Sequence, residues 1–228
     1  MQKTVLLFEN EDFLVVDKPA GLNFHSEEDA GLVVLVKELM GLETLYPLHR
    51  LDKMTSGLVL FGKNKEAAQL FGKMFEAREV EKYYLAISLR KPKKKQGWIK
   101  GDMQPARRGS WMFAKTKENP AVTQFHSTAL REGERGFLVK PHTGRTHQIR
   151  VALKSIGAPI AGDIRYAQSD LAKEEERGYL HAYALRFSYK GETYCFIQPP
   201  KEGERFLSER FHDTLQEEWQ QPWELFKK

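Results

Sequence analysis

The sequence is poor in the residues and motifs on which several classes of protein depend. Cys195 is the only cysteine among 228 residues, which excludes an intrachain disulfide and a multi-cysteine zinc site. The chain contains no Gly-rich nucleotide-binding motif of the GxGxxG or GxxxxGK[ST] type and no HExxH zinc pattern. We therefore expect this protein to use no cofactor and no metal ion.

Long apolar runs are missing as well. No stretch approaches the roughly 18 consecutive apolar residues that a membrane helix needs. The amino terminus carries no apolar leader with a small-residue cleavage site. These features predict a cytoplasmic protein with no membrane partner. An apolar fraction of 41% at this length is enough to bury a core, so we expect a single folded domain over residues 1–228.

Positive charge exceeds negative charge and is concentrated in one segment. The chain has 36 Lys and Arg against 31 Asp and Glu, and residues 90–108 contain eight basic residues and one acidic residue, Asp102. A dense basic segment favours a polyanionic partner, of which nucleic acid is the commonest, with a solvated loop as the alternative. Trp98 and Trp111 are candidates for stacking on bases, and the alternative is that they anchor a loop.

The spacing of apolar residues predicts short strands and a few helices. Ser26 is predicted to cap a helix over residues 27–40, and residues 147–156 are predicted to form an amphipathic helix. Residues 91–120 are predicted to be an insertion or long loop. Many short strands without regular βαβ alternation favour an α+β fold, with a mixed, largely antiparallel sheet flanked by helices and loops.

Residues 47–57 form the first of two polar clusters that no core pattern explains. Loops held by a scaffold are the usual place for functional sites. Asp52 follows the cation Arg50 and precedes the hydroxyl of Thr55. Nearby cations and hydroxyl donors keep a carboxylate ionised, and an ionised carboxylate can act as a base or a nucleophile. The alternative is a turn aspartate that satisfies backbone amides.

Residues 141–150 form the second cluster. Arg145, His147 and Arg150 lie near the predicted amino terminus of a helix, where anions are attracted. A surface phosphate contact or a structural ion pair is the alternative. A zinc site is disfavoured, because His142 and His147 are five residues apart and lack the usual spacing.

The segment His49-Arg50-Leu51-Asp52-x-x-Thr55-Ser56-Gly57 closely resembles the signature of RluA-type pseudouridine synthases. Further segments resemble this family in its order along about residues 5–200, at residues 12–21, 81–86, 121–125, 143–150, 157–166 and 180–182. The resemblance implies the pseudouridine synthase fold and an isomerase that detaches uracil from its ribose in RNA, rotates it and reattaches it through C5. It further implies a catalytic domain without the amino-terminal RNA-binding domain that many relatives carry, followed by a tail at residues 201–228.

The resemblance also implies the catalytic residues. Asp52 matches the aspartate that forms a covalent adduct during the reaction, on either the base or the sugar. Tyr84 matches the tyrosine that stacks on the target base and is a candidate for removing the C5 proton. Tyr83 is the alternative if the register differs by one. Arg145 matches the arginine that pairs with the catalytic carboxylate, a role that agrees with the effect of a cation on an acid.

Further residues are expected to contact the RNA. Arg50 matches a residue that enters the base stack when the target uridine flips out. His49 is expected to contact substrate or to hold the loop. The complete set of expected substrate-binding residues is His49, Arg50, Thr55, His147 and Arg150.

Ribosomal or transfer RNA is the expected partner, without DNA, and the protein is expected to act as a monomer. One alternative is a non-catalytic RNA-binding or ribosome-assembly factor on the same fold. The carboxylate of Asp52 argues against that alternative, because an anion facing RNA weakens binding. The other is an unrelated metal-dependent nuclease, which needs a carboxylate cluster that these polar loops lack.

Overall fold

A computed structural model describes residues 3–131 and 133–226. Its strands are β1 Val5–Glu9, β2 Phe13–Lys18, β3 Tyr46–Pro47, β4 Ser56–Gly62, β5 Glu81–Ser88, β6 Gln96–Gly101, β7 Met103–Pro105, β8 Trp111–Phe113, β9 Ala121–Ala129, β10 Arg135–Pro141, β11 Leu180–Tyr189 and β12 Glu192–Ile197. Its α-helices are α1 Leu32–Met40, α2 Lys65–Glu76, α3 Gln148–Ser155, α4 Ser169–Lys173, α5 Glu209–Glu217 and α6 Pro222–Leu225. Among the described residues, no helix is both long and apolar enough to cross a membrane.

These elements confirm the predicted α+β class, with a largely antiparallel sheet and flanking helices. Two local predictions were wrong. The helix predicted over residues 27–40 begins only at Leu32, because the Ser26 hydroxyl accepts the Gly31 N–H at 3.0 Å and closes a loop instead of capping a helix. Residues 91–120, predicted as a long loop, contain β6, β7 and β8.

The chain divides into two compact units, and the first comprises the residues up to Glu81 together with Ala182–Pro199. Its strands run in the order β1-β2-β4-β11, with β3 paired to β4 and β12 paired to β11. Phe13 on β2 lies at the centre of an aromatic core, with ring centroids 5.4 Å from Phe71 of α2 and 5.7 Å from Phe187 of β11. Large buried rings of this kind supply much of the apolar burial that stabilises the unit.

The second unit comprises Lys82–His181 and the chain from Pro200 onward. Its sheet has the order β5-β10-β9-β6 with antiparallel pairs, and β7 pairs with β8 as a separate hairpin. The carboxy-terminal segment packs on one face of this sheet. There the Phe226 ring lies 5.7 Å from that of Tyr83 on β5 and 5.0 Å from that of His126 on β9.

The contact between His126 and the carboxy-terminal segment makes the stability of this unit sensitive to acid. Burial lowers the pKa of His126 below its ordinary value, although a hydrogen bond to the Leu225 backbone opposes this. The unfolded chain therefore binds this proton at higher pH than the folded chain, so stability is lost as the pH falls below about 6.5. We expect His126→Gln to lose less unfolding free energy than the parent between pH 7.5 and 5.5 in urea titrations. An equal loss in the two chains would contradict this assignment.

Candidate active site

Asp52 lies on a tight turn of the first unit, between β3 and β4. The Thr55 N–H donates to the Asp52 backbone carbonyl at 3.0 Å, which closes the turn over residues 52–55. Leu51 and Thr55 on either side are buried, whereas Asp52 is half-buried and Arg50 is exposed. The apolar and hydroxyl neighbours thus anchor the turn, and the carboxylate stands at its surface.

The turn is held by the segment that follows β2. Gly21 donates its N–H to the Lys53 carbonyl at 2.8 Å, and the fully buried Lys18 ammonium donates to the Pro19 and Lys53 carbonyls at 3.0 and 3.3 Å. Gly21 has a φ of +81°, which favours glycine at this position. The Lys18–Gly21 segment therefore fixes the backbone one residue beyond Asp52.

His49 fixes the other side of the turn. Its Nε2 accepts the Leu60 N–H of β4 at 2.9 Å, which makes this nitrogen an acceptor. Its ring lies 5.7 Å from that of Phe75 on α2. This geometry favours the loop-holding role for His49 over contact with RNA, and the burial of Thr55 likewise favours a structural role for its hydroxyl.

Gly57 lets β4 run close to β11. Its φ is +107°, and a Cβ at this position would overlap the Ala182 backbone oxygen and lie 2.8 Å from the Ala182 nitrogen. Only glycine satisfies both the conformation and the close approach. The last residue of the segment that resembles the family signature thus has a purely geometric reason, and it determines where the Asp52 turn enters the sheet.

Tyr83 and Tyr84 of β5 lie in the second unit and face opposite sides of its sheet. Tyr83 is fully buried against the carboxy-terminal segment, where Phe226 covers its ring. Lys82, which shares a face with Tyr84, reaches Gly144 at the start of the arginine segment, and burial lowers the pKa of its ammonium group. Tyr84 is thus on the face of β5 that lies beneath this segment, which favours Tyr84 over Tyr83 as the site tyrosine.

Gln148 organises the loop that carries Arg145. Its buried side-chain oxygen accepts from the Thr143 hydroxyl at 2.7 Å and the Arg145 N–H at 3.0 Å. Its amide nitrogen donates to the Val122 carbonyl and the Thr123 hydroxyl at 3.1 and 3.0 Å. Sequence reasoning did not single out this residue. The only available signal was a polar residue placed just before the apolar face of α3.

Arg150 is buried and forms a two-pronged ion pair with Asp163, at 2.7 and 2.9 Å. The Asp163 carboxylate also accepts the N–H groups of Arg165 and Tyr166 at 3.1 and 3.3 Å. A buried, bidentate pair of this kind fixes local structure, because removal of one partner leaves an uncompensated charge. The geometry favours this structural role for Arg150 over a phosphate contact.

His147 begins α3 in a left-handed conformation, with a φ of +56°. Its Nδ1 lies 2.7 Å from the Tyr166 hydroxyl, which also accepts the Trp111 N–H at 2.8 Å. His147 therefore connects the arginine segment to the β7–β8 hairpin. Arg145 itself is exposed, and none of its side-chain nitrogens forms an ion pair within the described ranges.

The structure thus places the predicted site residues in two groups. His49, Arg50, Asp52 and Thr55 lie together on one turn of the first unit, and Tyr84, Arg145, His147 and Arg150 belong to the second unit. The pairing of Asp52 with Arg145 stays a prediction. In the part of the chain that the structure describes, no group of three or more His, Cys, Asp or Glu side chains is arranged to hold a metal ion.

Comparison with known proteins defines the class. Residues 12–155 match the model of the RNA pseudouridylate synthase family. An uncharacterized RNA pseudouridine synthase of Haemophilus influenzae is 39% identical over 212 residues, which cover 92% of this chain and 94% of the relative. The chain therefore belongs to the RNA pseudouridylate synthase family. It is an isomerase that acts on RNA.

Two further relatives agree. Ribosomal large subunit pseudouridine synthase C of Rickettsia bellii is 33% identical over 193 residues, which cover 81% of this chain and 64% of that protein. The solved structure of human RNA pseudouridylate synthase domain containing 1 is 26% identical, with a TM-score of 0.74 over 87% of this chain and 84% of that one. This similarity confirms the expected pseudouridine synthase fold.

Proposed function

We propose that this chain converts specific uridines of ribosomal or transfer RNA to pseudouridine, through a covalent adduct of Asp52 and extrusion of the target base. The observation that carries the proposal is the Asp52 turn. Its backbone is held by the Lys18–Gly21 segment and by His49, and its carboxylate is left at the surface. A rigidly held carboxylate loses little entropy on reaching a reactive geometry.

The reaction needs no reagent besides the RNA and water. The bond from uracil N1 to ribose C1′ breaks, the base rotates, and a bond from C5 to C1′ forms. The C5 proton leaves, and N1 takes up a proton. The carboxylate of Asp52 bonds to the base or to the sugar carbon and is released unchanged. Tyr84 is the proposed acceptor of the C5 proton, directly or through water, and Arg145 the proposed partner of the carboxylate.

Arg50 is proposed to enter the base stack as the uridine leaves. Extrusion of a base from a stem costs a few kcal/mol, and a planar cation stacked on the neighbouring bases offsets part of this cost. Arg50 is exposed, directly precedes the buried Leu51, and forms no ion pair within residues 3–131 and 133–226. An uncompensated guanidinium two residues from Asp52 suits this role.

A pseudouridine map tests the proposed function and finds the substrate. The Rickettsia relative is named for the large ribosomal subunit, so ribosomal RNA is the first class to inspect, followed by transfer RNA. We expect a strain without this chain to lose pseudouridine at one or a few uridines, and rescue with the intact chain to restore them. Unchanged maps of both RNA classes in the deletion strain would contradict the proposal.

A further inference from the structure

The basic segment at residues 90–108 has two ends that lie far apart in the second unit. β6 pairs with β9 from Gln96 opposite His126 to Gly101 opposite Ala121. Next to Ala121, Val122 accepts the His142 N–H at the start of the arginine segment. Residues 93–95 therefore precede β6 at the end away from that segment. A six-residue strand spans about 20 Å, so the lysines there are remote from Arg145.

The other end of the segment folds into the β7–β8 hairpin. Arg107 and Arg108 occupy its tip, where the Ala106 N–H donates to the Ser110 carbonyl at 2.8 Å. The Arg165 guanidinium donates to the Arg108 carbonyl and lies against Gly109. Three exposed guanidinium groups thus belong to one small surface, the arginine cluster Arg107, Arg108 and Arg165.

The charge of the arginine cluster is uncompensated. None of the three side chains forms an ion pair with another described residue. The nearby Asp163 carboxylate is occupied by the buried Arg150 at 2.7 and 2.9 Å. Like charges held together repel each other, and an anionic ligand with several oxygens relieves that repulsion through charge-assisted hydrogen bonds.

The arginine cluster is attached to the segment that carries Arg145. The Tyr166 hydroxyl accepts the Trp111 N–H beside the hairpin tip and lies 2.7 Å from Nδ1 of His147. At the other end of the hairpin, hydrogen bonds from Thr116 and the next backbone amides lower the pKa of Asp102, and the charge of Arg145 contributes to the same effect. Both ends of the hairpin are therefore tied to the arginine segment.

We propose that Arg107, Arg108 and Arg165 form a phosphate-binding surface that holds the backbone of the substrate RNA beside Arg145. The proposal rests on the proposed function, and it adds a positioning surface that leaves the chemistry unchanged. Arginine suits this task because its guanidinium binds phosphate oxygens in a two-pronged manner. Contacts to phosphate fix the register of a nucleic acid and carry no base information.

The salt dependence of RNA binding tests this surface. The probe is a fluorescein-labelled RNA stem-loop of about 24 nucleotides with a uridine loop, titrated at several salt concentrations. Each phosphate contact contributes about 0.7–0.9 to the slope of log K against log salt, so we expect Arg107→Gln/Arg108→Gln/Arg165→Gln to lower that slope by about 2. Binding near physiological salt is expected to weaken by at least about tenfold.

Two matched variants separate this surface from a general effect of charge. Lys93→Gln/Lys94→Gln/Lys95→Gln removes the same charge about 20 Å away, beyond the screening length of about 10 Å at 0.1 M salt, and is expected to bind within about threefold of the parent. The triple Arg→Lys variant of the cluster keeps the charge and is expected to retain most of the slope. Equal losses in the two Gln variants, or an unchanged slope for the cluster variant, would overturn the proposal.

The outcome is independent of the chemistry proposed for Asp52, because the measurement is of binding. A failure of the proposed function would show as an unchanged pseudouridine map, with salt slopes still different between the variants. A failure of the phosphate surface would show as equal slopes, with the map still changed by deletion of the chain.

Discussion

Asp52→Asn is expected to lower the rate of pseudouridine formation by at least about 10³-fold while leaving RNA affinity within about threefold. The amide has nearly the shape of the carboxylate, but it is a far weaker nucleophile and base. The turn should survive, because Thr55 donates to the backbone carbonyl of Asp52 and not to its side chain. The assay is release of tritium from C5-labelled uridine in RNA of the deletion strain, measured with the purified chain in excess.

The matched control is Asp29→Asn, which makes the same chemical change at an exposed loop position of the same unit. We expect this variant to release tritium at the parental rate. Substantial tritium release by Asp52→Asn would remove Asp52 from the chemistry. A loss of rate matched by an equal loss of RNA affinity would assign the residue to binding instead.

The local part of the site could be predicted from the sequence, because short-range signals determine it. The turn at Asp52 has its polar residues within a few positions of each other. Asn64 was expected to cap a helix, and its side chain accepts the Ala67 N–H at 2.8 Å. Each of these features depends on neighbours three residues apart or fewer, a range over which side-chain chemistry dominates.

The parts that were missed depend on distant partners. β6 contains Gly97 and Gly101, which weaken a strand signal, and it forms because β9 pairs with it. The hairpin at residues 103–113 is held by Tyr166, more than 50 positions away along the chain. Gln148 is polar and gave no core signal, yet its four hydrogen bonds satisfy groups on β9 and on the arginine segment.

Gly57→Ala is expected to destabilise the first unit by about 3 kcal/mol or more. The φ of +107° is unfavourable for alanine, and the new methyl group would overlap the backbone of Ala182, which cannot move without displacing β11. The change strains the junction that sets the position of the Asp52 turn. We therefore expect a lower Tm and a loss of activity that tracks the fraction unfolded at the assay temperature.

Gly72→Ala supplies the control with the opposite expected sign. Gly72 lies in the interior of α2 in the same unit, and a Cβ there meets no other atom within 4 Å. Alanine in an exposed helix is favoured over glycine by about 0.5–1 kcal/mol, so this variant should be slightly more stable than the parent. The two changes add the same methyl group, and urea unfolding measures both. A Gly57→Ala chain as stable as the Gly72→Ala chain would mean that β4 and β11 do not approach as closely at Ala182 as this geometry requires.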